Sequence, residues 1–94
     1  MKYLIVGLGN IGEEYANTRH NIGFIIADAL AQDLGVKFTT ERYAMRAEAR
    51  YRGKPVVIIK PTTYMNLSGK AYRYWLNEEK VAVENSLVVV DDLD

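Results

Sequence analysis

The 94-residue sequence contains no cysteine, which excludes disulfides and thiolate metal sites and fits a reducing compartment. Histidine occurs once, at His20, and the carboxylates are scattered, so no metal-ligand spacing is present and no metal is expected. Net charge is also missing: 12 basic side chains balance 12 acidic ones, so overall electrostatics do not announce a polyanion binder. Long apolar runs are absent as well. The N-terminal MKYLIVGLG is too short for a signal peptide and is interrupted by Asn10, Glu13 and Glu14. No stretch approaches the length needed to span a bilayer, so a soluble, cytoplasmic protein without membrane contact is the expectation. Repeats, low-complexity tracts and linkers are lacking too, which leaves residues 1–94 as one small domain.

What is present is a core. Apolar residues make up 49% of the chain, and they fall into alternating strand-like and helix-like patterns. Lys2 to Leu8 is a continuous apolar run ended by glycine, the pattern of a strand buried on both faces. After a polar stretch, Asn21 can cap a helix whose apolar residues are Ile22, Phe24, Ile25, Ala29, Leu30 and Leu34, with Gly35 placed to stop it. Val36 to Arg42 reads as a weak strand. Met45, Ala47, Ala49 and Tyr51 then alternate with Arg46, Glu48 and Arg50, and Arg52-Gly53 turns the chain into Val56–Ile59, forming a hairpin. Pro61 to Gly69 leads into a second helix with Ala71, Tyr74 and Trp75 inward, and Leu87–Val90 is a further buried strand. This order predicts a three-layer α/β/α fold with a mixed, mostly parallel sheet plus an antiparallel hairpin. Because such a sheet normally continues with a helix over its last strand, the chain reads as the front portion of a larger domain.

Charge is unevenly distributed despite its zero sum. Six basic residues (Arg42, Arg46, Arg50, Arg52, Lys54 and Lys60) stand against Glu48 between residues 42 and 60, and six acids stand against Lys80 from Glu78 onward. The basic stretch is either a polyanion-facing surface or a solvated strand face.

Gly7-Leu8-Gly9-Asn10-Ile11-Gly12 is a literal G-x-G-x-x-G after a strand. A dinucleotide loop also needs its third glycine to open a helix, and an acid about 20 residues on. Here the helix starts only near Asn21, and Glu13 and Glu14 would place negative charge beside the phosphates, so no dinucleotide is expected. Two alternatives remain for the asparagine. Asn10 stabilises its own turn, or its amide orients a substrate carbonyl or hydroxyl.

Four polar residues share a position in this scheme. Asn10 and His20 follow the first strand, Asn66 follows Val56–Ile59, and Asp91 terminates the last strand. In open α/β sheets, sites form outside the carboxyl ends of the strands. A histidine just before a helix start is held neutral and basic by the helix dipole, and a carboxylate on its other ring nitrogen would stabilise the cation formed on taking a proton. The bland alternative is a surface histidine, with Asp91 capping a turn. Ser68 lacks a G-x-S-x-G setting, which disfavours a serine nucleophile.

Residues 7–23, GLGNIGEEYANTRHNIG, closely resemble the first signature of the bacterial peptidyl-tRNA hydrolase family. Pro61-Thr62-Thr63-Tyr64-Met65-Asn66-Leu67-Ser68-Gly69 resembles its second signature, and Val90-Asp91-Asp92-Leu93-Asp94 its third. The resemblance covers essentially the whole sequence, with Ile11 where many members carry proline and Tyr64 where phenylalanine is common. It implies hydrolysis of the ester between a peptide and the ribose of its tRNA, a ribosome-rescue step of translation that recycles tRNA. It further implies His20 as the general base, Asp91 as the group that stabilises its proton-accepting form, and Asn10 as the discriminator of N-blocked substrates. Tyr15, Tyr64, Met65 and Asn66 would then contact the substrate. Peptidyl-tRNA would be the partner of a monomeric enzyme, and the basic stretch would face tRNA. A non-catalytic RNA-binding relative, or an inactive piece of the enzyme, is the alternative expectation. The family's second half, with a further glycine-rich loop and a lid helix, has no counterpart in these 94 residues.

Overall fold

The computed structural model describes residues 1–9, 22–63 and 67–90. The elements follow the expected order: strand β1 (Tyr3–Gly7), helix α1 (Ile22–Asp33), strands β2 (Thr39–Glu41), β3 (Ala44–Tyr51) and β4 (Lys54–Pro61), helix α2 (Ser68–Glu79), a 3-10 turn (Val83–Asn85) and strand β5 (Ser86–Val89). They form one five-stranded sheet in the order β2-β3-β4-β1-β5. β1 pairs in parallel with β4 on one side and β5 on the other, while β3 is antiparallel to both β2 and β4. Four of the five strands therefore point the same way. The mixed sheet with its hairpin agrees with the sequence reading.

Why the hairpin closes where it does is local chemistry. Arg52 and Gly53 both take positive φ, 53° and 81°, so the two-residue loop has the twist that matches paired strands. Register then runs without a bulge from Tyr51↔Lys54 to Ala44↔Pro61.

Each sheet face has its own apolar cluster. Leu4, Val6, Val57, Ile59 and Ala44 meet Trp75 of α2 and Val81, while Val56, Ile58 and Ala47 meet Ala27 and Ala31 of α1. β1 and β4 thus contribute alternate residues to opposite layers, which is why both read as near-continuous apolar runs. Both helices end in the same way. Gly35 (φ 72°) precedes Val36, whose N–H returns to the Ala31 carbonyl, and Lys80 (φ 57°) precedes Val81, whose N–H returns to the Leu76 carbonyl. Gly35 is the stop that the sequence predicts. At α2 a lysine adopts the same left-handed conformation.

Three details depart from expectation. The buried stripe of α1 is Gly23, Ala27 and Ala31, whereas Ile25 and Ile26 are exposed. Small residues four apart let the helix lie close to the sheet, and this close approach leaves the larger side chains outside. Second, β5 is a sheet edge, and Leu87 (59%) and Val88 (39%) are exposed instead of buried. Third, the basic stretch does not make one surface. Lys60 lies on the α1 side with Asp28 (2.6 Å), Arg46 lies on the α2 side with Glu79 (2.8 Å), and Arg50 bonds the Gly53 carbonyl (2.8 Å). Strand alternation sends successive side chains to opposite faces, so a run of charge in sequence is split in space.

Candidate active site

Every side chain that the sequence nominates for chemistry lies outside the described residues: Asn10, Tyr15, His20, Tyr64, Met65, Asn66 and Asp91. What the structure defines is the frame to which those segments attach. β4, β1 and β5 are neighbours and parallel, so their carboxyl ends line one edge. Register places Gly7 beside Val89 and Val6 beside Ile59, and the Leu8 N–H donates to the Val89 carbonyl at 2.9 Å.

Helix α1 begins at this same edge. A Cβ on Gly7 would fall on the Gly23 carbonyl oxygen, and one on Gly23 would fall on the Leu8 carbonyl oxygen and within 2.6 Å of the Val89 carbonyl oxygen. Only two glycines allow the first turn of α1 to sit on the junction of β1 and β5. Residues 10–21 are therefore bracketed by Gly9 and Ile22, both anchored at the carboxyl edge. The first glycine of G-x-G-x-x-G serves helix–strand contact here.

At β4 the arrangement is similar. Thr62 N–H donates to the Tyr43 carbonyl at 2.8 Å, fixing the exit of the strand, and α2 starts at Ser68. Thr63 Oγ1 is buried without a hydrogen-bond partner among the described residues. A buried hydroxyl left unpaired costs about 1–3 kcal/mol, so this one marks a polar position at the edge that sequence reasoning did not single out. Its only sequence signal is its place in the second signature.

The grooves of the described surface lie elsewhere. One of about 310 Å³ is lined by Tyr3, Ile5, Tyr51, Val56 and Leu87, around the amino ends of β1 and β5. Its lining is mostly apolar, and Glu84 is its one carboxylate. Among the described residues no cluster of His, Asp or Glu could hold a metal ion, and no helix is long and apolar enough to cross a membrane.

The five-stranded mixed sheet with a helix on each face is a three-layer α/β/α fold, and the three signature segments attach at its carboxyl edge. The family model described as peptidyl-tRNA hydrolase matches residues 4–94. The chain belongs to that family. It is 61% identical over 93 residues to a peptidyl-tRNA hydrolase of Cytophaga hutchinsonii and 58% identical to one of Phocaeicola vulgatus, in each case across 99% of this chain and 50% of the relative. The crystal structure of the peptidyl-tRNA hydrolase from Acinetobacter baumannii superposes with a TM-score of 0.91 at 37% identity, covering 98% of this chain and 48% of that one. The chain thus spans about half the length of the curated relatives it matches.

Proposed function

We propose that the protein hydrolyses the ester between a peptide and the ribose of its tRNA, acting on N-blocked aminoacyl-tRNA in the cytoplasm as a monomer. The observation that carries this reading is convergence. Family membership supplies the chemistry, and the three nominated segments leave the sheet at the ends of adjacent parallel strands, with α1 seated on the same edge.

In this reading His20 takes a proton from water, and the hydroxide so formed attacks the ester carbonyl carbon. Asp91 stabilises the imidazolium that results. The tetrahedral intermediate collapses by breaking the bond to the ribose oxygen, which leaves with a proton returned from His20. Asn10 and Asn66 offer amide donors and acceptors for the carbonyl and the blocked amine, with Tyr15, Tyr64 and Met65 lining the substrate path. An ester is reactive enough that a positioned base and hydrogen-bond donors suffice without a cofactor.

His20→Ala in the full-length protein is expected to lower kcat by about 10²–10⁴-fold while circular dichroism and the unfolding midpoint stay unchanged. Undiminished hydrolysis of N-acetylaminoacyl-tRNA by that variant would refute the assignment. The alternative, a non-catalytic RNA-binding relative, has no need to keep Asn10, His20, Asn66 and Asp91 together, and their joint presence counts against it.

A further inference from the structure

Three of the eleven cationic side chains among the described residues are held in ion pairs. Lys2 and Arg46 share Glu79, Arg46 also reaches Glu48, and Lys60 holds Asp28. Among the others, Arg42 and Lys70 are set apart by a shared aromatic partner. Both are exposed, and among the described residues neither lies within ion-pair distance of a carboxylate; Glu78 is the acid whose charge still reaches Arg42. Instead they converge on one aromatic ring. The Arg42 guanidinium lies 5.1 Å and the Lys70 ammonium 5.7 Å from the centroid of Tyr43, and Arg42 is 5.6 Å from that of Tyr74.

The ring that gathers them is held firmly. Tyr43 has a left-handed φ of 66°, a strained conformation for an aromatic residue, and its carbonyl accepts from Thr62 N–H. Its ring meets Tyr74 edge-to-face at 5.3 Å, Tyr74 meets Trp75 at 5.1 Å, and Trp75 Nε1–H donates to the Arg42 carbonyl at 2.9 Å. The Arg42 guanidinium donates to the Tyr43 hydroxyl at 3.4 Å, and both cations hold that phenol below its ordinary pKa. Lys70 stands in the first turn of α2, where the helix dipole disfavours a cation and the chain places no acid to offset it. Two unneutralised charges on a rigid aromatic mount form a preorganised anion contact.

Position says which anion. Tyr43 is bonded to Thr62 at the exit of β4, and Lys70 follows α2's start, so the cluster borders the carboxyl edge to which the site segments attach. Guanidinium, ammonium and phenol beside half-buried aromatic rings suit phosphodiesters and bases better than carboxylates alone. We infer that Arg42, Tyr43, Lys70 and Tyr74 form a contact for the phosphate backbone of the RNA strand that leads its ester into the site, an inference that rests on the peptidyl-tRNA reading. The contact reads backbone, not sequence.

The test uses the full-length protein with Arg42→Gln and Lys70→Gln combined, against N-acetylaminoacyl-tRNA and against N-acetylaminoacyl adenosine, which carries the same ester without a strand. The expected result is a KM for the tRNA substrate raised about tenfold and a dependence of log KM on log salt shallower by about one to two, with adenosine-ester hydrolysis and unfolding midpoint unchanged. Arg42→Lys with Lys70→Arg should restore the salt dependence. An unaltered KM and salt slope, or equal losses on both substrates, would overturn the contact. If the unsubstituted protein cleaves neither ester, the hydrolase reading fails separately. Binding of deacylated tRNA then decides: a shallower slope in the double variant supports the contact, and an unchanged slope, or a loss seen only with polyglutamate, overturns it.

Discussion

Gly7 at the end of β1 lies against the carbonyl oxygen of Gly23 in the first turn of α1, and Gly23 in turn lies against the Leu8 carbonyl oxygen, so neither has room for a Cβ. The obstacle in each case is backbone carbonyl oxygen, which cannot rotate away as a side chain would. Gly7→Ala and Gly23→Ala are therefore each expected to destabilise by about 3 kcal/mol or more, measured by urea denaturation. Gly69 provides the contrast. It lies inside α2, where an added Cβ would meet nothing within 4 Å, so Gly69→Ala should stabilise by about 0.5–1 kcal/mol.

Glu79 ties three parts of the fold together. Its carboxylate receives Lys2 at 3.0 Å from the start of β1 and Arg46 at 2.8 Å from β3, with the side chain only 8% exposed. Burial would raise its pKa, but the hydrogen bonds from Arg46 and Lys2, with their charges, outweigh this and hold it below the ordinary 4.5. A depressed folded-state pKa means stability that is fully present above the unfolded value and is lost as pH falls through the folded one. Glu79→Gln should cost about 1–3 kcal/mol at neutral pH. That difference should shrink progressively below about pH 5, as denaturation midpoints across the acid range would show.

Trp75, the sole tryptophan, is 4% exposed and spends its one donor on the Arg42 carbonyl. Trp75→Phe should lose about 1–2 kcal/mol and Trp75→Ala about 3–5 kcal/mol, by chemical denaturation followed with circular dichroism. The native emission should be that of a shielded indole and shift to longer wavelength on unfolding.

Asn10 carries the proposed discrimination. Asn10→Ala in the full-length protein should narrow the ratio of kcat/KM between N-acetylated and free aminoacyl-tRNA by about tenfold or more, chiefly through the N-blocked substrate. An unchanged ratio would remove Asn10 from that role.

How much of the fold is readable from sequence follows from particular residues. β1 and β4 are legible because burial on both faces leaves an uninterrupted apolar run, and the Arg52-Gly53 turn because its geometry demands left-handed backbone. The packing face of α1 is not. Hydrophobicity points to Ile25, whereas close approach is governed by the smallness of Gly23, Ala27 and Ala31, a property that carries no hydrophobic signal. The fate of the basic stretch also depends on register and partners, which place Arg46 and Lys60 on opposite faces. The candidate site is legible as a set of strand ends, since topology alone gathers them. The mutual geometry of Asn10, His20, Asn66 and Asp91 lies beyond what strand order can specify.

The place of β1 in the sheet has a consequence in time. β1 lies between two partners, and Leu4 pairs with Ser86 of a strand made long after it. Both parallel pairings of β1 close loops of many tens of residues before any contact repays them, which makes their formation slow. During synthesis the apolar Leu4 and Val6 must wait until β4 and then β5 have left the ribosome. The strand-end edge is thus assembled in two steps, β4 beside β1 first, and is complete only when β5 joins.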